Sequence, residues 1–485
     1  MAECHPVGFQ WVTEAKLRGA RVIHVDPRFT RTSAQADRHI PIRAGADIAL
    51  LGGLINHVLS NDLWFHDYVL HYTNAATLVS DEFVDTEDLD GLFSGFDAGL
   101  NAYDPASWEY AAPAGTSGTS GAAPRDETLT DPRCVFQLLK RHYQRYTPEM
   151  VADVCGISTE DFNYLADSIT MNSGRDRTTA FCYAVGWTQH TAGAQMIRTS
   201  AILQLLLGNM GRPGGGIMAL RGHASIQGST DIPTLYNLLP GYLPMPVVGE
   251  HDTFTDFLEA AGSKAQKGYW AQADAYTISL LKAWWGDHAT AANDYCYDYL
   301  PRLSGAHGTY QTTVAMLDGE VDGYFVLGQN PAVGSAHSRL QRRALAGLKW
   351  LVVRDLRMIE TATFWTDSPE VATGELVPED IATEVFFLPA ACHVEKAGTF
   401  TQTQRLLQWR EKAVDPPGDA ESELQFFHLL GQRLRERLRD STDPRDRPLL
   451  DLTWDYPVDA EGEIIPESVL QEINGRHLTG ERAGQ

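Results

Sequence analysis

Short apolar runs alternate with amphipathic stretches through the first part of the chain. The pattern predicts a helix at Val7–Lys16, a strand at Arg21–Asp26 that stops at Asp-Pro-Arg, and an amphipathic helix at Ile48–Leu59. This alternation is typical of a parallel α/β sheet, in which the carboxyl ends of the strands meet at a crevice.

The same pattern resumes before and after a glycine-rich segment. We predict a strand at Thr179–Val185 and a helix at Ala194–Leu207, in which apolar residues recur at helical spacing and which Gly208 ends. Later strands are predicted at Asp322–Leu327, Lys349–Asp355 and Glu384–Leu388. The fold class is therefore α/β, with two doubly wound, mostly parallel-sheet domains.

The predicted boundaries follow changes in composition. The first domain covers 1–220 and includes a Gly/Ser/Ala/Pro-rich insertion at about 112–125. The second domain covers 221–430, and 431–485 is predicted to be a surface helix and a charged, proline-containing tail.

Composition narrows the class of protein. The chain has 485 residues, 43% of them hydrophobic, and a net charge of −24, which argues against a nucleic-acid partner. We find no apolar run long enough for a membrane span and no secretory signal at the N-terminus. The six cysteines form no Cys-x-x-Cys pair, so buried thiols are expected rather than a zinc or iron–sulfur site within this chain.

Polar and glycine residues cluster where the predicted strands end. In open α/β sheets these ends bind ligands, and together they suit a nucleotide, although each one taken singly fits a plain turn equally well. Asp47 is also expected to cap the helix that follows it. The candidates in the first domain are Asp26, Arg28, Thr30, Arg43, Gly45, Asp47 and Gly186–His190; those in the second are Gly328, Gln329, Asn330 and Pro331.

The stretch "GGGIMALRGHASIQG" at 214–228 places Arg221 beside glycines. Glycines permit close backbone approach, and arginine is suited to hold an anion at short range. A helix C-cap followed by a solvated arginine is the competing interpretation. The chain lacks Gly-x-Gly-x-x-Gly, the P-loop pattern and Gly-x-Ser-x-Gly, which disfavours an NAD site, a P-loop and a hydrolase elbow.

Seven motifs along the chain support a resemblance to a known family. "ECHPVGFQW", "DPRFTRTSAQAD", "PIRAGADIALL", "GWTQH", "LLLGNMGRPGGGIMALRGHASIQGSTD", "GQNP" and "ETATFW" follow one another as in molybdopterin oxidoreductases, and most resemble the large subunit of respiratory formate dehydrogenases. The resemblance covers about residues 3–460. That family binds two molybdopterin guanine dinucleotides around one molybdenum or tungsten atom, between two α/β domains.

The resemblance also implies roles for individual residues. Arg221 matches the arginine that holds the formate carboxylate, and His223 stands where related enzymes have a polar residue that orients the substrate. The residues expected to hold one dinucleotide are Asp26, Arg28, Thr30, Gly45, Asp47, Gly186, Trp187, Thr188 and Gln189; Gly222 and Gln227 are expected near the pterin, and Gly328, Asn330, Asp355, Glu360 and Thr361 would hold the other.

The family's subunit is much longer than this chain, which is therefore expected to be a fragment that is inactive alone. A selenocysteine or cysteine metal ligand and a [4Fe–4S] domain are expected upstream of Met1, and a β-barrel domain beyond Gln485. The resemblance implies formate, an iron–sulfur (beta) subunit and a membrane cytochrome subunit as partners, on the periplasmic face of the membrane or alternatively in the cytoplasm. The alternatives are a nitrate or polysulfide reductase, or a non-catalytic remnant of the fold.

Overall fold

The computed structural model of the chain describes residues 1–112, 122–232, 234–261, 268–402 and 406–473. The chain forms two compact units, Met1–Gly222 and His223–Gln485. Arg221 therefore belongs to the first unit and His223 to the second. Most of the predicted insertion at 112–125 lies outside the described residues.

The first unit is mainly helical and holds two parallel strand pairs. Ile23–Val25 pairs with Arg38–Ile40, and Ala180–Tyr183 pairs with Gly216–Ala219. Phe96–Asp97 and Ala102–Tyr103 form a small antiparallel pair. The helices are Pro6–Leu17, Arg31–Gln35, Asp47–Ser60, His66–Tyr72, Val135–Tyr143, Pro148–Cys155, Thr159–Met171, Val185–Thr188 and Gly193–Leu206.

The helix Asp47–Ser60 forms the centre of the first core. Nine of its residues are buried, including Leu51, Leu54 and Ile55, so almost every face of this helix packs against other elements. The helix Gly193–Leu206 packs alongside it and ends before Gly208, whose φ of +69° suits glycine. The core thus fixes the positions of both helices, each of which follows a loop that begins at the end of a strand.

The second unit contains a parallel sheet of three strands, in the order Glu384–Pro389, Trp350–Asp355, Gly323–Leu327. Two antiparallel pairs join Leu238–Leu239 to Leu243–Pro244 and Gly398–Thr401 to Leu407–Arg410. The helices are Ile226–Asp231, Phe254–Ala261, Ala273–Trp285, Thr309–Leu317, Pro331–Gly334, Ser338–Ala346, Glu360–Thr363, Pro369–Ala372, Glu423–Leu438, Arg447–Leu450 and Pro466–Ile473.

The two faces of the three-stranded sheet differ in burial. One face contributes Val326, Leu351 and Val353 to a core. On the other face Phe325, Leu327 and Phe386 are 38%, 39% and 42% exposed, and the helix Glu423–Leu438 covers part of it. Because parallel sheets are normally buried on both faces, this second face is unusually open.

Arg354 lies on the same, more open face and is nevertheless only 1% exposed. Its guanidinium lies 4.4 Å from the ring centroid of Phe426, and Nη2 donates to the carbonyl of Glu421 at 2.7 Å. Burial lowers the pKa of Arg354. This contact attaches the helix Glu423–Leu438 to the sheet.

A buried ion pair joins the helices behind the loop at Asn330. Arg342 Nη2 donates to Glu370 Oε1 at 2.8 Å and Nη1 donates to the carbonyl of Ala332 at 2.6 Å. The hydrogen bond from Arg342 holds the pKa of Glu370 below its usual range. The pair therefore fixes the turn that carries Asn330.

The α/β class and the predicted strands are confirmed, although no sheet among the described residues exceeds three strands. The six cysteines are free thiols, but the expectation that they are buried is only partly right: Cys134, Cys155 and Cys296 are buried, Cys392 is half-buried, and Cys4 and Cys182 are exposed. In the described ranges no helix is both long and apolar enough to cross a bilayer, and no group of three His, Cys, Asp or Glu side chains is placed to hold a metal ion.

Candidate active site

The loop after the strand Ile23–Val25 carries one acidic and one basic side chain. Asp26 Oδ1 accepts the backbone N–H of Arg28 at 2.8 Å, and Oδ2 lies 3.7 Å from His24 Nε2. Burial lowers the pKa of His24 despite the opposing effect of Asp26. The lowered pKa favours the neutral form of His24, so this ring competes less with the donors of a ligand for the Asp26 carboxyl oxygens.

Arg28 and Thr30 lie in the same loop but differ in whether their side chains are available to bind a ligand. The Arg28 guanidinium is exposed and forms no hydrogen bond or ion pair with a described residue, so it is free to bind an anion. Thr30 instead caps the helix Arg31–Gln35, because its side chain accepts the N–H of Thr32 at 3.2 Å. The structure thus gives Thr30 a local role.

Asp47 and Trp187, both predicted to hold a dinucleotide, bind each other. Trp187 Nε1 donates to Asp47 Oδ1 at 2.9 Å, and the indole stacks on Tyr183 with ring centroids 5.2 Å apart. The predicted capping role of Asp47 is wrong: Ala46 is the N-cap and Asp47 is the first helical residue, with no side-chain cap. The carboxylate points instead to the turn that follows the strand Ala180–Tyr183.

That turn contains a single helical turn, Val185–Thr188, rather than the start of a long helix. Gly186, Thr188 and Gln189 are exposed there. One turn has a small dipole, so an anion would be held by individual backbone N–H groups more than by a helix end.

Gly193 begins the next helix where two carbonyls approach closely. A Cβ at this position would lie 2.5 Å from the carbonyl oxygen of Trp187 and 2.7 Å from that of Thr188. Gly193 is not among the residues predicted from the sequence, because nothing in the linear pattern shows which backbone atoms face it.

We expect Gly193→Ala to lower the free energy of unfolding by about 1–3 kcal/mol, because the methyl group meets backbone that cannot move aside easily. Urea unfolding of the 485-residue chain measures this. Gly186→Ala is the matched control, since a Cβ there meets no atom within 4 Å. Equal stability of the two variants would contradict the close approach.

Arg221 lies just beyond the strand Gly216–Ala219. The N–H of Leu220 continues the ladder by donating to the carbonyl of Tyr183 at 2.7 Å. The carbonyl of Arg221 accepts His5 Nε2 at 3.0 Å, whereas its guanidinium is exposed and unpaired within the described part of the chain. An unpaired, permanently charged fork on a fixed backbone is suited to a carboxylate.

In the second unit, His223 is exposed and Gln227 is engaged by neighbouring side chains. Gln227 Nε2 donates to Asp231 Oδ1 at 2.9 Å and is also hydrogen-bonded to the Tyr242 hydroxyl, which contacts Asp231. This network holds the helix Ile226–Asp231. A contact between Gln227 and a pterin stays a prediction.

The second group of strand-end residues is connected internally. Asn330 Nδ2 donates to Glu360 Oε2 at 2.6 Å, and Asn330 Oδ1 accepts the Thr361 hydroxyl at 2.7 Å. Thr361 is fully buried. Gly328 has a φ of +59° and is exposed, while Asp355 Oδ1 accepts the N–H of Leu356 at 2.7 Å. Asn330, Glu360 and Thr361 therefore shape the loop, and Gly328 leaves its backbone open.

Comparisons with known proteins agree on one family. The family model for "Molybdopterin oxidoreductase" matches residues 1–364. The chain is 42% identical over 482 residues to "Formate dehydrogenase, nitrate-inducible, major subunit" of Escherichia coli (strain K12), covering 98% of this chain and 46% of that protein.

Two further relatives give a similar result. "Formate dehydrogenase 2 subunit alpha (cytochrome c-553)" of Nitratidesulfovibrio vulgaris is 42% identical over 480 residues, covering 98% of this chain and 45% of that protein. "Formate dehydrogenase subunit alpha" of Megalodesulfovibrio gigas is 37% identical over 490 residues, with 100% and 46% covered. The chain thus spans about half the length of these relatives.

Proposed function

Because the chain belongs to the molybdopterin oxidoreductase family, we propose that it is part of the catalytic subunit of a formate dehydrogenase. The observation that carries this proposal is the unpaired Arg221 guanidinium at a fixed strand end, in a chain whose relatives are named formate dehydrogenases. The reaction is the oxidation of formate to carbon dioxide, with release of one proton and two electrons.

The residues of each unit fit a bound dinucleotide in part. In the first unit Arg28 and the exposed turn at Gly186 offer a cation and backbone donors for phosphate, and Asp26 offers an acceptor for hydroxyl or N–H groups. In the second unit Gly328 leaves backbone open to approach. We propose a guanine dinucleotide form with molybdenum or tungsten; when bound, this cofactor supplies the two-electron acceptor.

Arg221 would bind and orient the substrate. Its planar fork can donate two parallel hydrogen bonds to the two oxygens of formate, which leaves the C–H bond on the opposite side. A guanidinium has N–H donors and no acceptor atom, so it can hold the anion without taking a proton from it. His223, two residues further on and exposed, would supply a polar group that orients the substrate.

We propose that the two electrons would then be passed to a [4Fe–4S] cluster and an iron–sulfur subunit, and in some assemblies to a membrane cytochrome. The names of two relatives, which include "major subunit" and "subunit alpha", support an assembly with further subunits.

The proposed function is tested by assaying the enzyme that contains this chain after its purification from the source. We expect formate-dependent reduction of a dye, molybdenum or tungsten bound in stoichiometric amount, and release of guanine nucleotide on acid hydrolysis. Reduction of nitrate without oxidation of formate would refute formate as the substrate and retain the cofactor. Absence of metal and guanine would refute both.

A further inference from the structure

The imidazole of His5 holds the backbone of Arg221. His5 Nε2 lies 3.0 Å from the carbonyl oxygen of Arg221, a contact between residues 216 positions apart. A carbonyl oxygen only accepts, so Nε2 carries the proton. His5 Nδ1 is buried and has no hydrogen-bond partner among the described residues. Among the described residues, the imidazole of His5 therefore has one hydrogen-bond partner, the carbonyl of Arg221, and this bond orients the ring.

The backbone of His5 is itself fixed. Proline at position 6 keeps His5 out of the helical region, and its φ and ψ are −134° and 57°. The N–H of His5 donates to the carbonyl of Met1 at 2.8 Å, and its carbonyl accepts the N–H of Phe9 at 2.9 Å. The imidazole thus extends from the rigid start of the helix Pro6–Leu17.

Few other contacts restrict the backbone of Arg221. The ladder of the parallel strands ends at Leu220, whose N–H donates to the carbonyl of Tyr183. Gly222 follows, and a Cβ there would meet nothing within 4 Å. The contact from His5 comes one residue after the strand pairing stops, and it limits the directions in which the Arg221 side chain can leave the backbone.

We propose that His5 is a positioning residue for Arg221: its imidazole fixes the Arg221 carbonyl and thereby aims the guanidinium at the substrate carboxylate. The inference rests on the proposed function of Arg221, but the tether itself can be tested without substrate. His5 touches no reacting atom in this proposal, and it acts only through the backbone of Arg221.

The tether is tested by hydrogen–deuterium exchange on the 485-residue chain. In His5→Ala, the amide of Leu220 and its neighbours in 216–223 should exchange about fivefold faster, as expected for the loss of one hydrogen bond. His5→Gln keeps an N–H donor and should restore much of the protection. His66→Ala is the control, because His66 is an exposed histidine bonded to Asp62. Unchanged exchange in His5→Ala would overturn the proposal.

The effect on the substrate is tested in the complete enzyme. His5→Ala should raise the KM for formate about fivefold, leave kcat within about twofold and leave the metal content unchanged, and His5→Gln should recover most of the affinity. Faster exchange with an unchanged KM would show that the tether does not position Arg221 for the substrate. A wild-type enzyme inactive with formate would refute the proposed function, while the exchange result would still decide whether the tether exists.

Discussion

Arg221→Ala is expected to lower kcat/KM for formate by about a hundredfold in the enzyme that contains this chain. The substitution removes two charge-assisted hydrogen bonds from a small anion that has no other functional group to hold it. Most of the loss should appear as a higher KM. A fall in kcat should accompany it, because formate bound without the fork is no longer oriented.

Steady-state kinetics with a dye as electron acceptor measure this effect. Arg221→Lys separates charge from geometry: it keeps the positive charge but cannot make the parallel pair of hydrogen bonds, so it should recover only part of the affinity. Arg18→Ala is the control, because Arg18 forms an exposed ion pair with Glu14 on the helix Pro6–Leu17. Kinetics of Arg221→Ala equal to the wild type, at equal metal content, would refute the role of Arg221.

Arg342→Met is expected to destabilise the chain by about 3–5 kcal/mol. The substitution leaves the buried carboxylate of Glu370 without its partner and removes the donor to the carbonyl of Ala332. Because Ala332 belongs to the turn that carries Asn330, the Asn330–Glu360 contact should loosen as well. Urea unfolding of the 485-residue chain reports the loss.

Arg339 lies one helical turn away and provides the matched control. Its ion pair with Glu375 is on the surface, so Arg339→Met should change stability little. The double variant Arg342→Met with Glu370→Met should be more stable than Arg342→Met, since no charge is then left buried alone. Equal losses of stability in Arg339→Met and Arg342→Met would show that burial of the Arg342–Glu370 pair does not account for its effect on the free energy of unfolding.

The sequence predicted the elements better than the contacts between side chains. Apolar periodicity located the strand at Lys349–Asp355 and the helix at Ala194–Leu207 to within one residue of Trp350–Asp355 and Gly193–Leu206, because burial of an element leaves a local pattern. The role of Asp47 depended on where the chain brings Trp187, 140 positions away. No local pattern encodes such a distance.

Other parts of the candidate site were missed for the same reason. His5 and Arg221, and Arg342 and Glu370, are pairs whose members look ordinary in the linear sequence. Glycine at 193 is explained only by the carbonyls that the turn at Trp187 points toward it. The resemblance to a family named Arg221 as a candidate, but the residues that support it required coordinates.

The more exposed face of the three-stranded sheet, which carries Phe325, Leu327 and Phe386, has a consequence for the solubility of the purified chain. At low salt a net charge of −24 keeps copies apart by mutual repulsion. Added salt shortens the range of that repulsion, and sulfate in particular strengthens the association of apolar surfaces such as those of Phe325, Leu327 and Phe386. The chain should therefore stay dispersed in dilute buffer and precipitate at a low concentration of ammonium sulfate. Proteins whose aggregation is driven by opposite charges behave in the reverse way, because added salt disperses them.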